Sequence, residues 1–121
     1  RVVLLGVISE AEKIYYYQNC LAFAFPSLRE GFGLPVLEAM TFGKPVFLSN
    51  KTSLPEIGGK HAFYWTNFDP AYMAKIFLDG MDTFQQNEEL YTTAYKKRAQ
   101  NFTWENAAKQ YTNIYRSILN Q

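Results

Sequence analysis

Two carboxylates, Glu30 and Glu38, stand with seven residues between them, Gly31-Phe32-Gly33-Leu34-Pro35-Val36-Leu37. The apolar run before them, Leu21-Ala22-Phe23-Ala24-Phe25, predicts a buried strand. The run after, Val36 to Phe42, predicts a short helix ended by Gly43. Strand, tight glycine loop and helix in succession constrain the fold more than any other feature of the chain. In an open α/β sheet, ligands bind at such a place, outside the carboxyl ends of the strands and facing helix N-termini.

The chemistry of that turn follows residue by residue. Gly31 and Gly33 allow backbone conformations closed to other residues and let a ligand approach the main chain. Pro35 suits the first helical position, where its lack of an N–H costs nothing. The amides of Phe32, Gly33 and Leu34, with the positive end of a helix dipole behind them, suit an anion such as phosphate. Glu38 falls on a different face of the helix from Val36, Leu37 and Met40. A carboxylate there is an acceptor for paired sugar hydroxyls. Glu30, on the loop, is placed to meet polyol hydroxyls or a developing positive charge. The plainer alternative is a glycine turn with one exposed glutamate and one that stabilises a helix dipole.

The rest of the chain alternates in the same way. Val2 to Leu5 reads as a first strand, ended by Gly6. Ser9 and Glu12 form a capping box for a helix to about Asn19. The strand Leu21 to Phe25 is apolar on both faces, as expected of a central parallel strand. Val46 to Leu48 reads as a third buried strand, and the polar stretch Ser49 to Ser53 falls at its carboxyl end, beside the crevice. Ser53 is placed to cap a short turn through Leu54-Pro55-Glu56, where Glu56 serves either as a ligand contact or as a first-turn helix charge. His61 has no acid or nucleophile beside it and reads as a loop residue before a fourth strand, Ala62 to Trp65. Asp69-Pro70 opens a helix with Met73, Ile76, Phe77, Gly80 and Phe84 on one face. A further helix starts at Glu88-Glu89 and runs to about Gln100. The last, capped by Thr103, carries Ala107, Ala108, Tyr111, Ile114, Tyr115, Ile118 and Leu119 as one apolar stripe, expected to pack into the core or a domain interface. This alternation predicts an α/β layer with a mainly parallel sheet.

Composition narrows the function classes. A chain of 121 residues holds one domain at most. With 12 basic against 11 acidic residues there is no global field to attract nucleic acid, and Lys96-Lys97-Arg98 reads as a solvated helix face. Cys20 is alone, which excludes an internal disulfide or a cysteine metal cage and fits a reducing compartment. No apolar run reaches the roughly 20 residues that span a bilayer. The opening at Arg1, directly on a strand, suggests a piece of a longer protein.

The run Phe25-Pro26-Ser27-Leu28-Arg29-Glu30-Gly31-Phe32-Gly33-Leu34-Pro35-Val36-Leu37-Glu38, continuing to Val46, resembles the C-terminal domain of the retaining glycosyltransferases of family four, which have the GT-B fold. Ser49-Asn50 with Ser53-Leu54-Pro55-Glu56-Ile57-Gly58-Gly59 is similar to that family's loop after the next strand. Phe102-Thr103-Trp104-Glu105 with Ala107-Ala108 is similar to its closing motif. The resemblance covers nearly the whole chain. It implies a Rossmann-like, three-layer α/β domain, truncated at its N-terminal side. It also implies a donor site for a UDP- or GDP-sugar, used without metal or other cofactor, and transfer of a hexose to an acceptor hydroxyl with retention. Mannosyl transfer in polysaccharide, glycan or glycolipid synthesis is the process implied. By resemblance Glu38 binds the donor ribose, and Glu30 contacts the transferred sugar as the catalytic residue. The amides of Phe32, Gly33 and Leu34, with Gly31, hold sugar hydroxyls and diphosphate. Ile8, by its main chain, borders the base or ribose, with Lys13 either joining it or lying as a surface lysine.

The family's basic diphosphate clamp, its acceptor domain and two of its strands precede the point where this chain opens. The expected partner is therefore an N-terminal acceptor domain. The expected location is the cytoplasm or the inner face of the membrane, with membrane contact only through that other domain. The two strands would lie between Val2–Leu5 and Leu21–Phe25, so an open edge is expected, closed by pairing of these two segments or by a second copy. The alternative in another class is a non-catalytic α/β module that binds a nucleotide or a protein.

Overall fold

A computed structural model describes residues 1–120. Its sheet has three strands, β1 (Phe23–Phe25), β2 (Val46–Ser49) and β3 (Phe63–Trp65), all parallel in the order β1-β2-β3. Phe23 lies opposite Val46, and Phe47 opposite Phe63. The helices are α1 (Glu10–Asn19), α2 (Leu34–Thr41), α3 (Leu54–Gly58), α4 (Pro70–Gln86), α5 (Glu88–Asn101) and α6 (Trp104–Leu119). The fold is the expected Rossmann-like α/β arrangement.

The alternation of β2 sorts the layers. All four of its residues are buried. Phe47 faces α4: its ring meets Phe63 at 4.9 Å and Phe77 at 4.7 Å. Gly80 is the point of closest approach, since a Cβ there would stand 2.6 Å from Phe47. On the other face Leu48 and Tyr64 crowd Gly58 of α3. Tyr95 of α5, wholly buried, donates to the carbonyl of His61 at 2.7 Å. So α4 covers one face of the sheet and α2, α3 and α5 the other.

Local capping accounts for the helix starts. Ser9 and Glu12 form the reciprocal capping box of α1. Asp69 caps α4 through the amide of Tyr72 at 3.0 Å, and Thr103 caps α6 through that of Asn106 at 3.1 Å. α2 begins two residues before the expected Val36, which makes Pro35 its second residue, and ends at Thr41, with Gly43 two residues on in the left-handed region at φ +71°.

Three expectations are overturned. Val2 to Leu5 form no strand: a strand needs a ladder partner, and these residues find none, with Val2 at 89% and Leu4 at 93% exposure. β1 is therefore an edge strand and not a central one. The expected closure of its free flank by the first segment does not occur. The flank is open to solvent, with Ala24 exposed, so water can satisfy its backbone. Separately, α6 buries none of its stripe in the core, which leaves the domain-interface half of that expectation; Tyr111, Ile114, Tyr115, Ile118 and Leu119 are all exposed.

Candidate functional site

The loops that leave the carboxyl ends of β1 and β2 are laced together by hydroxyls. Ser49, fully buried at the end of β2, donates to the carbonyl of Ser27 after β1. Thr52 accepts from the amide of Glu30 at 3.1 Å. Ser53 donates to the carbonyl of Phe32 at 2.8 Å and lies 3.3 Å from that of Glu30. Ser53 does occupy the N-cap position of α3, but its hydroxyl is spent on the glycine loop and not on the helix. Thr52 has φ +50°, a costly conformation for a β-branched residue, and strain of this kind gathers at functional sites.

This lacing holds the glycine loop open at the front of α2. Gly33 is its N-cap at φ +109°, and a Cβ there would stand 3.1 Å from Leu54. Gly31 has open space around it and does not need the left-handed region, so only one of the two glycines is required for backbone freedom. The amides of Phe32, Gly33 and Leu34 have no acceptor among the described residues. Unpaired N–H groups at a helix start are donors of the kind that suit an anion. Phe32 is steadied from the far end of the chain by the edge-to-face ring of Phe102, 6.0 Å away, over which the Arg98 guanidinium lies at 5.5 Å.

The two glutamates fall in separate networks at the two ends of this loop. Glu30 accepts from Ser27 Oγ at 2.7 Å. Glu38, on the outer face of α2 while Val36, Leu37, Ala39 and Met40 are buried, is gripped by α1. Lys13 Nζ stands 3.1 Å from its Oε1, and the Tyr17 hydroxyl 2.9 Å from its Oε2. Lys13 also pairs with Glu10 at 2.9 Å, and Glu10 and Glu38, in that order, raise its ammonium above the ordinary lysine range. Burial, then the bond to Glu38, raises the Tyr17 phenol, so it stays a neutral donor. Around these groups lies a groove of about 230 Å³ between α1 and α2, closed by Ile14, Thr41 and Phe42.

Of the other residues singled out, Ile8 is half-buried at the foot of α1, two residues before Glu10. Glu56 is exposed on the first turn of α3. His61 sits in a 3-10 turn; burial, then Lys60 and Arg98, hold its imidazole below the ordinary value, and Tyr91 packs on its ring at 5.5 Å. Sequence reasoning does not single out Ser27, Ser49, Thr52, Ser53 or Tyr17 as site residues. The polar stretch Ser49–Ser53 was the only sequence signal for three of them.

No helix among the described residues is long and apolar enough to cross a membrane. The family model described as "Glycosyl transferases group 1" matches residues 1–102. Among curated proteins, the chain is 37% identical over 116 residues to "O-antigen chain mannosyltransferase B" of Escherichia coli, covering 94% of the chain and 30% of that protein. It is 34% identical to "Serotype-specific mannosyltransferase WbdA" of the same organism, over 89% of the chain and 13% of that protein. "MMP alpha-(1->4)-mannosyltransferase" of Mycolicibacterium hassiacum is 29% identical over 93% of the chain and 28% of its own length. The chain thus spans less than a third of each of these relatives.

Proposed function

Because the chain belongs to the glycosyl transferases group 1 family, we propose that residues 1–121 are part of the donor-binding domain of a retaining hexosyltransferase. The donor is a nucleoside diphosphate sugar with UDP or GDP, and the names of the relatives favour a mannosyl group. The amides of Phe32, Gly33 and Leu34 receive the diphosphate and sugar oxygens. Glu38 accepts from the ribose hydroxyls. Glu30, held by Ser27, lies against the sugar, where positive charge develops as the anomeric carbon parts from the diphosphate. The C–O bond to the diphosphate breaks, a C–O bond to the acceptor forms on the same face, and the acceptor proton leaves with the diphosphate. The acceptor is bound by a part of the enzyme beyond this chain.

The observation that carries this reading is the row of unpaired amides at the start of α2, bracketed by two carboxylates that other side chains hold in place. The second reading, a binding module without catalysis, draws on Glu38 being already engaged by α1. Saturation-transfer NMR of the chain with UDP and GDP tests the first reading. Transfer to ribose and base protons that Glu38→Gln weakens supports it, and no transfer from either nucleotide sinks it.

A further inference from the structure

The Glu38 carboxylate accepts from α1 at both of its oxygens. The two donors are of unlike kinds. The Tyr17 ring is only 8% exposed, edge-on to Phe23 at 5.5 Å and stacked on Phe42 at 6.1 Å. Packing from β1 and from the end of α2 therefore fixes where its hydroxyl points. Lys13 reaches Glu38 on a flexible stem and is shared with Glu10. A carboxylate offers about four lone-pair positions. Two are used here, so two remain, and the Glu38 side chain is 40% exposed. Two is also the number of hydroxyl protons on a ribose 2′,3′-diol.

Resting on the donor reading above, we propose that Tyr17 and Lys13 are positioning residues of the ribose site, fixing the plane of the Glu38 carboxylate so that its two free lone-pair positions face the diol. Tyr17 sets the orientation. Lys13 supplies the neutralising charge and, being softer, contributes less. Groups locked by packing behind a binding side chain are what such sites need for precise geometry.

The test compares UDP and GDP with their 2′-deoxy counterparts, titrated into the chain and followed by NMR, for wild type, Tyr17→Phe, Lys13→Met and Glu38→Gln. The readout is the ratio of ribo to deoxy affinity, which general loosening of the fold would not move. Wild type prefers the ribo form. Tyr17→Phe and Lys13→Met each cut that preference by about threefold or more. In a Glu38→Gln background neither lowers it further, because the three act as one unit. Should Glu38→Gln erase the preference while both α1 variants keep it whole, the positioning role is overturned and the donor reading stands. Should Glu38→Gln keep it, or wild type bind no nucleotide, the donor reading falls and takes this role with it. Tyr17 is buried, so if Tyr17→Phe does not fold, Lys13→Met on a partly exposed side chain decides.

Discussion

Glu30 and Glu38 carry the same charge in the same motif, yet their surroundings differ. Glu38 accepts from an ammonium and a phenol, both on α1. Glu30 has one neutral donor, Ser27, and sits on the loop before the free amides. Removing the charge of Glu30 should therefore spare free nucleotide and penalise the sugar. Glu30→Gln is expected to leave UDP or GDP affinity within about 0.5 kcal/mol of wild type, as for a change away from the contacts that bind it. The nucleotide sugar should lose about 1 kcal/mol or more of affinity, and turnover in the complete enzyme should fall further, the pattern of a contact made chiefly in the transition state. Calorimetry with the nucleotide and its sugar side by side checks it; equal losses for the two would contradict the role.

At the scale of elements, what was legible in the sequence was local. The capping box Ser9/Glu12, the Asp69-Pro70 start and the Gly43 stop are signals within four residues of the structure they dictate, and each helix boundary they mark is where it was expected to within a residue or two. What was not legible was tertiary. Thr52 and Ser53 meet the glycine loop across 21 or 22 residues of chain, and Tyr17 meets Glu38 across 21. No spacing rule reaches that far. The strand predicted at Val2–Leu5 failed for the related reason that β propensity needs a partner to act on. Packing of elements also gives a stability test. Gly80 lets α4 lie against Phe47 and Phe63, where a Cβ would come within 2.6 and 2.9 Å of their rings. Helix propensity alone would make Gly80→Ala favourable by about 1 kcal/mol. Because ring atoms of a packed core must move to admit the methyl, the net effect is expected to be a loss of about 1–3 kcal/mol. Thermal denaturation that shows stabilisation would mean that the α4 face is loosely packed.

At the scale of the molecule, two properties follow from what is buried and what is not. Burial raises the phenols of Tyr17, Tyr64 and Tyr95, Tyr64 to about 12 from an ordinary value of 10.0. A group whose folded value is raised contributes stability that is whole below its unfolded value and is lost as pH rises through the folded one. The fold should thus hold to about pH 10 and weaken between pH 10 and 12, the interval set by Tyr64. Circular dichroism against pH, with phenolate absorbance followed alongside, checks this. Stability that is flat to pH 12 would contradict it.

The second property is the large apolar surface left uncovered. Along α6, Trp104 is 92% exposed and Leu119 83%, with Tyr111, Ile114, Tyr115 and Ile118 between them. The side chains of Val2, Val3, Leu4 and Leu5 are exposed as well. Contiguous apolar area of this kind seldom stays bare in water, since each Å² covered gains about 25 cal/mol. A strand edge with open N–H and C=O groups offers a second route to association. The α6 stripe presents five large apolar side chains on one helix, all exposed, so association of the isolated chain is expected to run through it. Sedimentation at concentrations from about 10 μM upward should show reversible growth in mass. Replacing Ile114 and Ile118 together by lysine should suppress that growth without lowering the melting temperature, because neither side chain belongs to the core. A lysine at Ala24, on the exposed face of β1, should have the smaller effect. If the Ala24 substitution alone restores the monomer, association runs through the strand edge; if the wild-type chain is monomeric throughout, neither surface is sticky enough to matter.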